Sequence, residues 1–287
     1  TEAGTSNYSL ETEAKHDEIC KLVLKKHIDI ALLQEIGVNW KRVSRNNQWK
    51  ARAATHLDPN HTRSYMSYNT HDQTNHSCQW GGTGIMSYGK LAHHSAGAGS
   101  DRAKLGRWTW SKYLGKDGVK LRCVSVYRPC DSRGGTETVY AQQRQYFLAR
   151  NKDKDPRSAF LEDFEVELKD WLSQGDQVVV GGDFNDKVLS PIIADLFQRN
   201  GMINVLHTKH DLTDAPATYN RGSKVIDGLW STPNLNVTAC GYLAPGETVS
   251  DHSLLWMDVT FESALGHNPP FPATLKARKL RLYDSKV

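Results

Sequence analysis

Of the side chains in this 287-residue chain that could move protons or hold metal ions, six stand out by lying at or beside the ends of short apolar runs: Glu35, Asp183, Asn185, Asp227, Asp251 and His252. The sharpest setting is Val178-Val179-Val180-Gly181-Gly182-Asp183-Phe184-Asn185-Asp186, a β-branched run that ends in two glycines and then polar side chains. Three valines bounded by turn residues predict a strand covered on both faces. The glycines permit close backbone approach where the polar groups begin. Period-2 alternation puts Asp183 and Asn185 on one side. Ile28-Asp29-Ile30-Ala31-Leu32-Leu33-Gln34-Glu35 repeats the form, a buried strand ending in a carboxylate. Asp227 falls inside the apolar run 225–230, where an acid without a partner is costly. Ser250-Asp251-His252 precedes the last convincing strand, 254–259. Each alone fits a plain Asx-type turn or a capped strand. Together they supply oxygen ligands for a hard cation, a proton acceptor and an imidazole. Those are the parts that hydrolysis of a phosphodiester needs: charge neutralised, water activated, transition state stabilised.

An alternation of helices and strands must position these groups. Residues 12–27 carry Ile19, Leu22 and Val23 at i, i+3, i+4 spacing and predict an amphipathic helix that runs almost directly into the Glu35 strand. Residues 107–114 and 119–128 alternate apolar with polar around Gly115-Lys116-Asp117-Gly118, predicting a hairpin whose second strand ends at Tyr127-Arg128-Pro129. Asp155-Pro156 is a helix start, and Leu161, Phe164, Leu168 and Trp171 share the face that leads to the Val178 strand. Ser190-Pro191 repeats the cap and Asn200-Gly201 ends that helix. Recurrent helix-to-strand connections define an α/β class. Residues 55–80 form a polar excursion with one candidate strand, 64–68. Its histidines lack i, i+4 pairing and no nearby carboxylate completes a site with them, so they are not read as a metal site. Gly81-Gly82-Thr83-Gly84-Ile85-Met86-Ser87 reads as a glycine-opened strand rather than a phosphate loop.

Composition sets outer bounds. Hydrophobic residues at 38% and charged residues at 24% are ordinary for a globular chain. No apolar run approaches the roughly 20 residues that span a bilayer, so no membrane segment is expected. Residues 1–10 lack the basic and apolar regions of a secretory signal. A net charge of +4 permits a polyanionic partner without identifying one. Five widely spaced cysteines without a C-x-x-C pair point to neither a zinc site nor a disulfide framework, and suit a reducing, intracellular compartment.

In order along the chain, Leu32-Leu33-Gln34-Glu35, Val126-Tyr127, Gly182-Asp183-Phe184-Asn185, Ile226-Asp227 and Ser250-Asp251-His252 resemble the motifs of the endonuclease/exonuclease/phosphatase superfamily, which includes DNase I and the exonuclease III type abasic-site nucleases. The resemblance implies a four-layered α/β sandwich, two packed mixed β-sheets flanked by helices. It implies one domain over residues 1–262, with 263–287 a linker or tail. It implies a divalent ion, Mg²⁺ with Mn²⁺ as the alternative, held by Glu35 and Asn7 and supported by Asp251. Asp183 would activate the water and Asn185 orient it; His252 would contact the scissile phosphate, with Asp227 orienting the imidazole and Tyr127 hydrogen-bonding the phosphate.

Within the superfamily, Gly182-Asp183-Phe184-Asn185 and the basic turn Arg221-Gly222-Ser223-Lys224 most resemble endonuclease domains of non-long-terminal-repeat retrotransposons, as do Tyr140-Ala141-Gln142-Gln143 and Asp155-Pro156-Arg157. That likeness implies DNA as the partner and nicking of one strand. It also implies Arg221, Ser223 and Lys224 as DNA contacts, a nuclear location, and a tail leading toward a C-terminal reverse transcriptase in a longer polyprotein. The competing enzyme reading is a phosphoesterase of the same superfamily acting on RNA or another phosphorylated substrate. A catalytically inactive DNA-binding module competes from a different class, and the complete acid, amide and imidazole set speaks against it.

Overall fold

Val178 and Val180 bury against helices on one side of their strand, and Val179 buries against a second sheet on the other, so the valine run lies inside a layered structure. The computed structural model describes residues 10–72, 76–131, 135, 137–212, 215–243, 248 and 250–267. Asn7 and the tail 268–287 lie outside the described residues. Along the chain run α1 (Leu10–Lys25), β1 (Ile30–Gln34), α2 (Trp49–Ala53), β2 (Thr62–Ser67), β3 (Thr83–Tyr88) and β4 (Ser95–Ser100). There follow β5 (Trp108–Leu114), β6 (Lys120–Tyr127), α3 (Val139–Leu148), α4 (Pro156–Ser173), β7 (Gln177–Asp183), α5 (Pro191–Gln198) and β8 (Ile203–Asn204). Last come α6 (Val205–His210), β9 (Asp227–Ser231), β10 (Val237–Leu243), β11 (Leu254–Val259) and α7 (Phe261–Leu265).

The larger sheet has the order β4-β5-β6-β7-β9-β8 and is mixed, with β6 and β7 parallel and its other pairs antiparallel. The smaller sheet, β1-β3-β2, is antiparallel, as is the separate pair β10-β11. Between the sheets lie Ile85 of β3, Tyr113 of β5, Leu121 and Cys123 of β6 and Val179 of β7, with Met257 and Val259 of β11 packed against them. Outside the smaller sheet, Cys20 and Val23 of α1 meet Trp49 and Ala53 of α2 over Met86. Outside the larger one, Phe160, Phe164, Leu168 and Trp171 of α4 and Phe197 of α5 cover Val178 and Val180. Each of those α4 side chains is worth about 1.5–3 kcal/mol of burial. The result is the four-layer order helix, sheet, sheet, helix.

Two local signals act as the sequence suggests. Asp155 caps α4 through its carboxylate, which accepts the Ser158 N–H at 2.8 Å. A Cβ on Gly182 would fall 1.9 Å from the Val126 carbonyl oxygen, so only glycine lets β7 lie this close to β6 beside Asp183. Two others differ. Ser190 precedes Pro191 but makes no side-chain cap, its hydroxyl being buried without a partner. The fold also continues past residue 262: Ala264 and Leu265 of α7 bury between the sheets, and Gly266 closes the helix in a left-handed conformation.

Candidate active site

Strand register builds the row on which the site stands. Tyr127 of β6 pairs with Asp183 of β7, and Asp183 pairs with Asp227 of β9, so three polar residues from three neighbouring strands stand side by side. β1 crosses beneath them on the other sheet. Gln34 donates to Ser125 Oγ at 2.8 Å and Ser125 Oγ donates to the Leu33 carbonyl at 2.7 Å, which pins the end of β1 to β6. Glu35 then leaves the strand at φ 47°, a left-handed conformation uncommon for a non-glycine residue and often found at functional sites. Its carboxylate accepts the Tyr127 hydroxyl proton.

Asn185 reaches Asp183 by a turn rather than by strand alternation. Its backbone is left-handed at φ 48°, its N–H donates to Asp183 Oδ1 at 2.7 Å and its Nδ2 donates to Asp183 Oδ2 at 3.0 Å. The plain Asx-type turn and the candidate site are therefore one object. Nδ2 also donates to the Arg128 carbonyl at 2.8 Å, which fixes the amide orientation and leaves Oδ1 as the remaining acceptor. Behind the turn stands a clamp of residues given no role by the sequence reading. Arg128 donates to the Phe184 carbonyl at 3.2 Å, Arg157 donates to the Asn185 carbonyl at 3.0 Å, and both pair with Asp186. The sequence signal was a lone arginine after the Tyr127 strand and another in the first turn of α4.

His252 comes from the segment before β11 and places Nδ1 2.8 Å from Asp227 Oδ2, the arrangement the resemblance implies. Thr218 Oγ1 accepts the Ile226 and Asp227 N–H groups at 3.0 and 3.2 Å and so fixes the start of β9. The basic turn packs on the same group: Tyr219 bridges His252 in antiparallel pairing, and their rings lie 4.9 Å apart. Arg221 and Lys224 are exposed beside it, as is Ser223. Arg221 meets Asp251 at 3.2 Å, whereas Lys224 has no acidic partner among the described residues.

Two side chains take partners other than those the resemblance implies. Asp251 points its carboxylate outward to Arg221 rather than into the cluster of Asp183, Asp227 and His252. Tyr127 gives its single proton to Glu35 rather than holding it toward a phosphate position, because an adjacent carboxylate is the stronger acceptor. Asn7 lies outside the described residues. The histidines of the polar excursion take separate partners, His56 at Asp17 and His71 at the Ala103 carbonyl.

Electrostatics follow from crowding acids at a buried strand end. Burial first, and then the charge of Asp227, hold the Asp183 carboxyl well above the usual carboxylate range. Burial, reinforced by Glu35, likewise pushes the Tyr127 hydroxyl upward and keeps it a donor. Burial opposes a charged His252, but the Asp227 hydrogen bond and charge outweigh it and raise the imidazole to about 9. Asp183, Asp227 and His252 offer ligand atoms within 4.8 Å of one another, though Nδ1 of His252 and Oδ2 of Asp227 already serve each other. Glu35 stands exposed at the mouth with one oxygen not taken by Tyr127. Three carboxylates against one imidazolium, all hard oxygen donors on the acid side, fit a divalent cation of the Mg²⁺ or Mn²⁺ kind.

A histidine pKa raised on folding adds stability that is complete below about 6.5 and is lost as pH rises through about 9. Denaturant unfolding of metal-free protein between pH 6 and 10 should therefore show a decline that Asp227→Asn flattens. An equal slope in the variant would contradict the pairing.

A buried carboxyl, an amide on its flank and an acid-paired imidazole stand together at strand ends of a layered α/β sandwich. The profile of the Endonuclease/Exonuclease/phosphatase family matches residues 3–252. This chain belongs to that family. Solved structures share its fold. The human Nocturnin catalytic domain with bound sulfate is 15% identical with a TM-score of 0.57, covering 88% of each chain. The Xenopus laevis APE2 catalytic domain is 14% identical with a TM-score of 0.58, covering 88% of this chain and 91% of that one. The endonuclease domain of TRAS1, a telomere-specific non-LTR retrotransposon, is 14% identical with a TM-score of 0.52, covering 85% and 92%. At such identities the likeness is one of fold. No curated protein matches the sequence. Among the described residues no helix is long and apolar enough to cross a membrane.

Proposed function

We propose that the protein is a Mg²⁺-dependent DNA endonuclease that nicks one strand and leaves 3′-hydroxyl and 5′-phosphate ends. The observation that carries this reading is the convergence of Asp183, Asn185, Asp227 and His252 on one strand-end row, with a basic hairpin packed directly on His252. Asp183, basic because it is buried beside Asp227, takes a proton from water. Asn185 Oδ1 accepts the other water proton and aims the lone pair at phosphorus. The His252 imidazolium uses its second N–H to hold a non-bridging phosphate oxygen, where charge grows as water attacks phosphorus; the P–O3′ bond then breaks and O3′ leaves as the 3′-hydroxyl, taking its proton from solvent. Glu35, held by Tyr127, would hold the cation, which when bound would neutralise phosphate charge and polarise the phosphoryl group. DNA and a nuclear location follow from this reading, which the shared fold of the TRAS1 endonuclease domain supports.

Supercoiled plasmid and an oligonucleotide carrying one abasic site, each with Mg²⁺ or with chelator, test it. Open-circular product only with Mg²⁺ is expected; hydrolysis of neither DNA by metal-loaded protein would refute it. Glu35→Gln should raise the Mg²⁺ concentration for half-maximal nicking by at least about tenfold, and an unchanged metal titration would remove Glu35 from that role.

The hairpin gives a second expected result. Arg221→Ala with Lys224→Ala should weaken nicking, alter the cut-site pattern and lower the log-log salt slope by up to roughly two, while a small phosphodiester is hydrolysed as before. Lys224 should contribute more, since Arg221 already has Asp251. Cut sites unchanged across a salt series would leave the turn without a DNA role.

A further inference from the structure

On the far side of the cleavage row from the hairpin lies a second basic feature. A cavity of about 380 Å³ opens between the segment that precedes β5, the end of α3 and the outer face of α4. Its lining carries five cations, Arg102, Arg107, Arg150, Lys152 and Lys154, against two acids, Asp163 and Glu167. Both acids are occupied. Asp163 meets Arg107 at 2.8 Å, and Glu167 accepts the Arg102 N–H at 3.2 Å and the Trp108 indole N–H at 3.3 Å. Lys154 meets Glu162 at 2.6 Å. Arg150 and Lys152 have no acidic partner among the described residues. Arg150 instead lies over the Tyr146 ring, its Cζ 3.8 Å from the centroid, which holds a guanidinium at the rim without neutralising it. Arg107 is buried in the wall and pairs with Asp101 at 3.5 Å as well as with Asp163, so the uncompensated charge of the cavity is that of Arg150 and Lys152.

The cavity is joined to the site by backbone. The Arg107 carbonyl accepts the Tyr127 N–H at 2.8 Å, and three residues beyond Lys154 the side chain of Arg157 holds the Asn185 carbonyl. Strand order puts β5 on one side of β7 and β9, with its hairpin, on the other. From β5 to β9 is three inter-strand steps, about 14 Å at roughly 4.8 Å each. One DNA strand presents a phosphate about every 3.4 Å of helix axis, so a strand laid along this edge passes several phosphates between the β5 wall of the cavity and the hairpin.

We propose that the Arg150 and Lys152 rim binds the phosphate backbone of the DNA substrate on the side of the scissile bond opposite the Arg221 hairpin. This rests on the DNA endonuclease reading and extends it to a two-sided footprint. The two rim residues touch neither the row nor the Arg128–Arg157–Asp186 clamp, so their removal leaves the chemistry in place.

The test uses the full chain, Arg150→Gln with Lys152→Gln, and two duplexes of one cut site, about 30 and about 8 base pairs long. Anisotropy with chelator reads binding and Mg²⁺ nicking reads kcat/KM. The variant should bind and nick the long duplex about tenfold less well at 0.1 M salt, with a salt slope lower by up to about two. It should treat the short duplex and a small phosphodiester as wild type does. Equal long-duplex binding and slope would overturn the proposal while leaving the endonuclease reading intact. Equal losses on both duplexes would also overturn it, marking the residues as structural. Wild-type protein that neither binds nor cuts either duplex would sink the endonuclease reading and this inference with it.

Discussion

Asp183→Asn is expected to fold normally and to lose about 10²–10⁴-fold in turnover. The change is isosteric, and it removes a buried charge that the neighbouring Asp227 opposes, so the far-ultraviolet circular dichroism should be native. The lost rate follows from the elevated basicity of this carboxyl. A carboxylate held above its usual range is a better proton acceptor near neutral pH, whereas an amide accepts none. One hydrogen bond is also lost, because Asn185 Nδ2 then faces an amide instead of Oδ2 at 3.0 Å. Single-turnover nicking on plasmid separates the two effects: a defect in chemistry persists at saturating protein. A natively folded variant that nicks at the wild-type rate would remove Asp183 from the role of base.

The second large effect belongs to the Asp227–His252 pair. With Nδ1 and Oδ2 2.8 Å apart, each residue depends on the other: the carboxylate keeps the imidazole charged and aimed, and the imidazole is the group that meets substrate. Asp227→Asn and His252→Ala should each cost about 10²–10³ in rate, the size expected for losing one donor to a developing charge. The double variant should be little worse than the weaker single one, since removing the second member of a coupled unit takes away nothing further. Pre-steady-state rates for the four proteins of the cycle decide it. Losses that add fully would show that the two act separately.

The parts of this fold that were legible in the sequence are those in which local chemistry and tertiary demand agree. The valine run and its glycines could form little else than an interior strand, and Asp155-Pro156 marks the start of α4 with both a cap and a fixed φ. β4 was illegible because Ser95-Ala96-Gly97-Ala98-Gly99-Ser100 has no apolar alternation. Its small residues make room for the Trp110 indole of β5, which a Cβ on Gly99 would approach to 2.6 Å.

At the site, the Asp227–His252 connection is the one the resemblance implies, and other connections depend on the folded chain. Asp183 and Asn185 do converge, but through a left-handed turn that strand periodicity does not foresee. The clamp on that turn joins Arg128, Arg157 and Asp186 across separations of 29 to 58 residues, beyond the reach of any local rule. The outward turn of Asp251 and the commitment of Tyr127 to Glu35 likewise depend on which partner the folded chain brings nearest.

The account stands most directly on whether this one row of side chains cuts DNA. Wild-type and Asp183→Asn proteins, purified identically, should be incubated with supercoiled plasmid and Mg²⁺ and the relaxed product followed in time. The account predicts open circles bearing 3′-hydroxyl ends from the wild type alone, suppressed by chelator. Equal relaxation by both proteins, or none by the metal-loaded wild type, would contradict it.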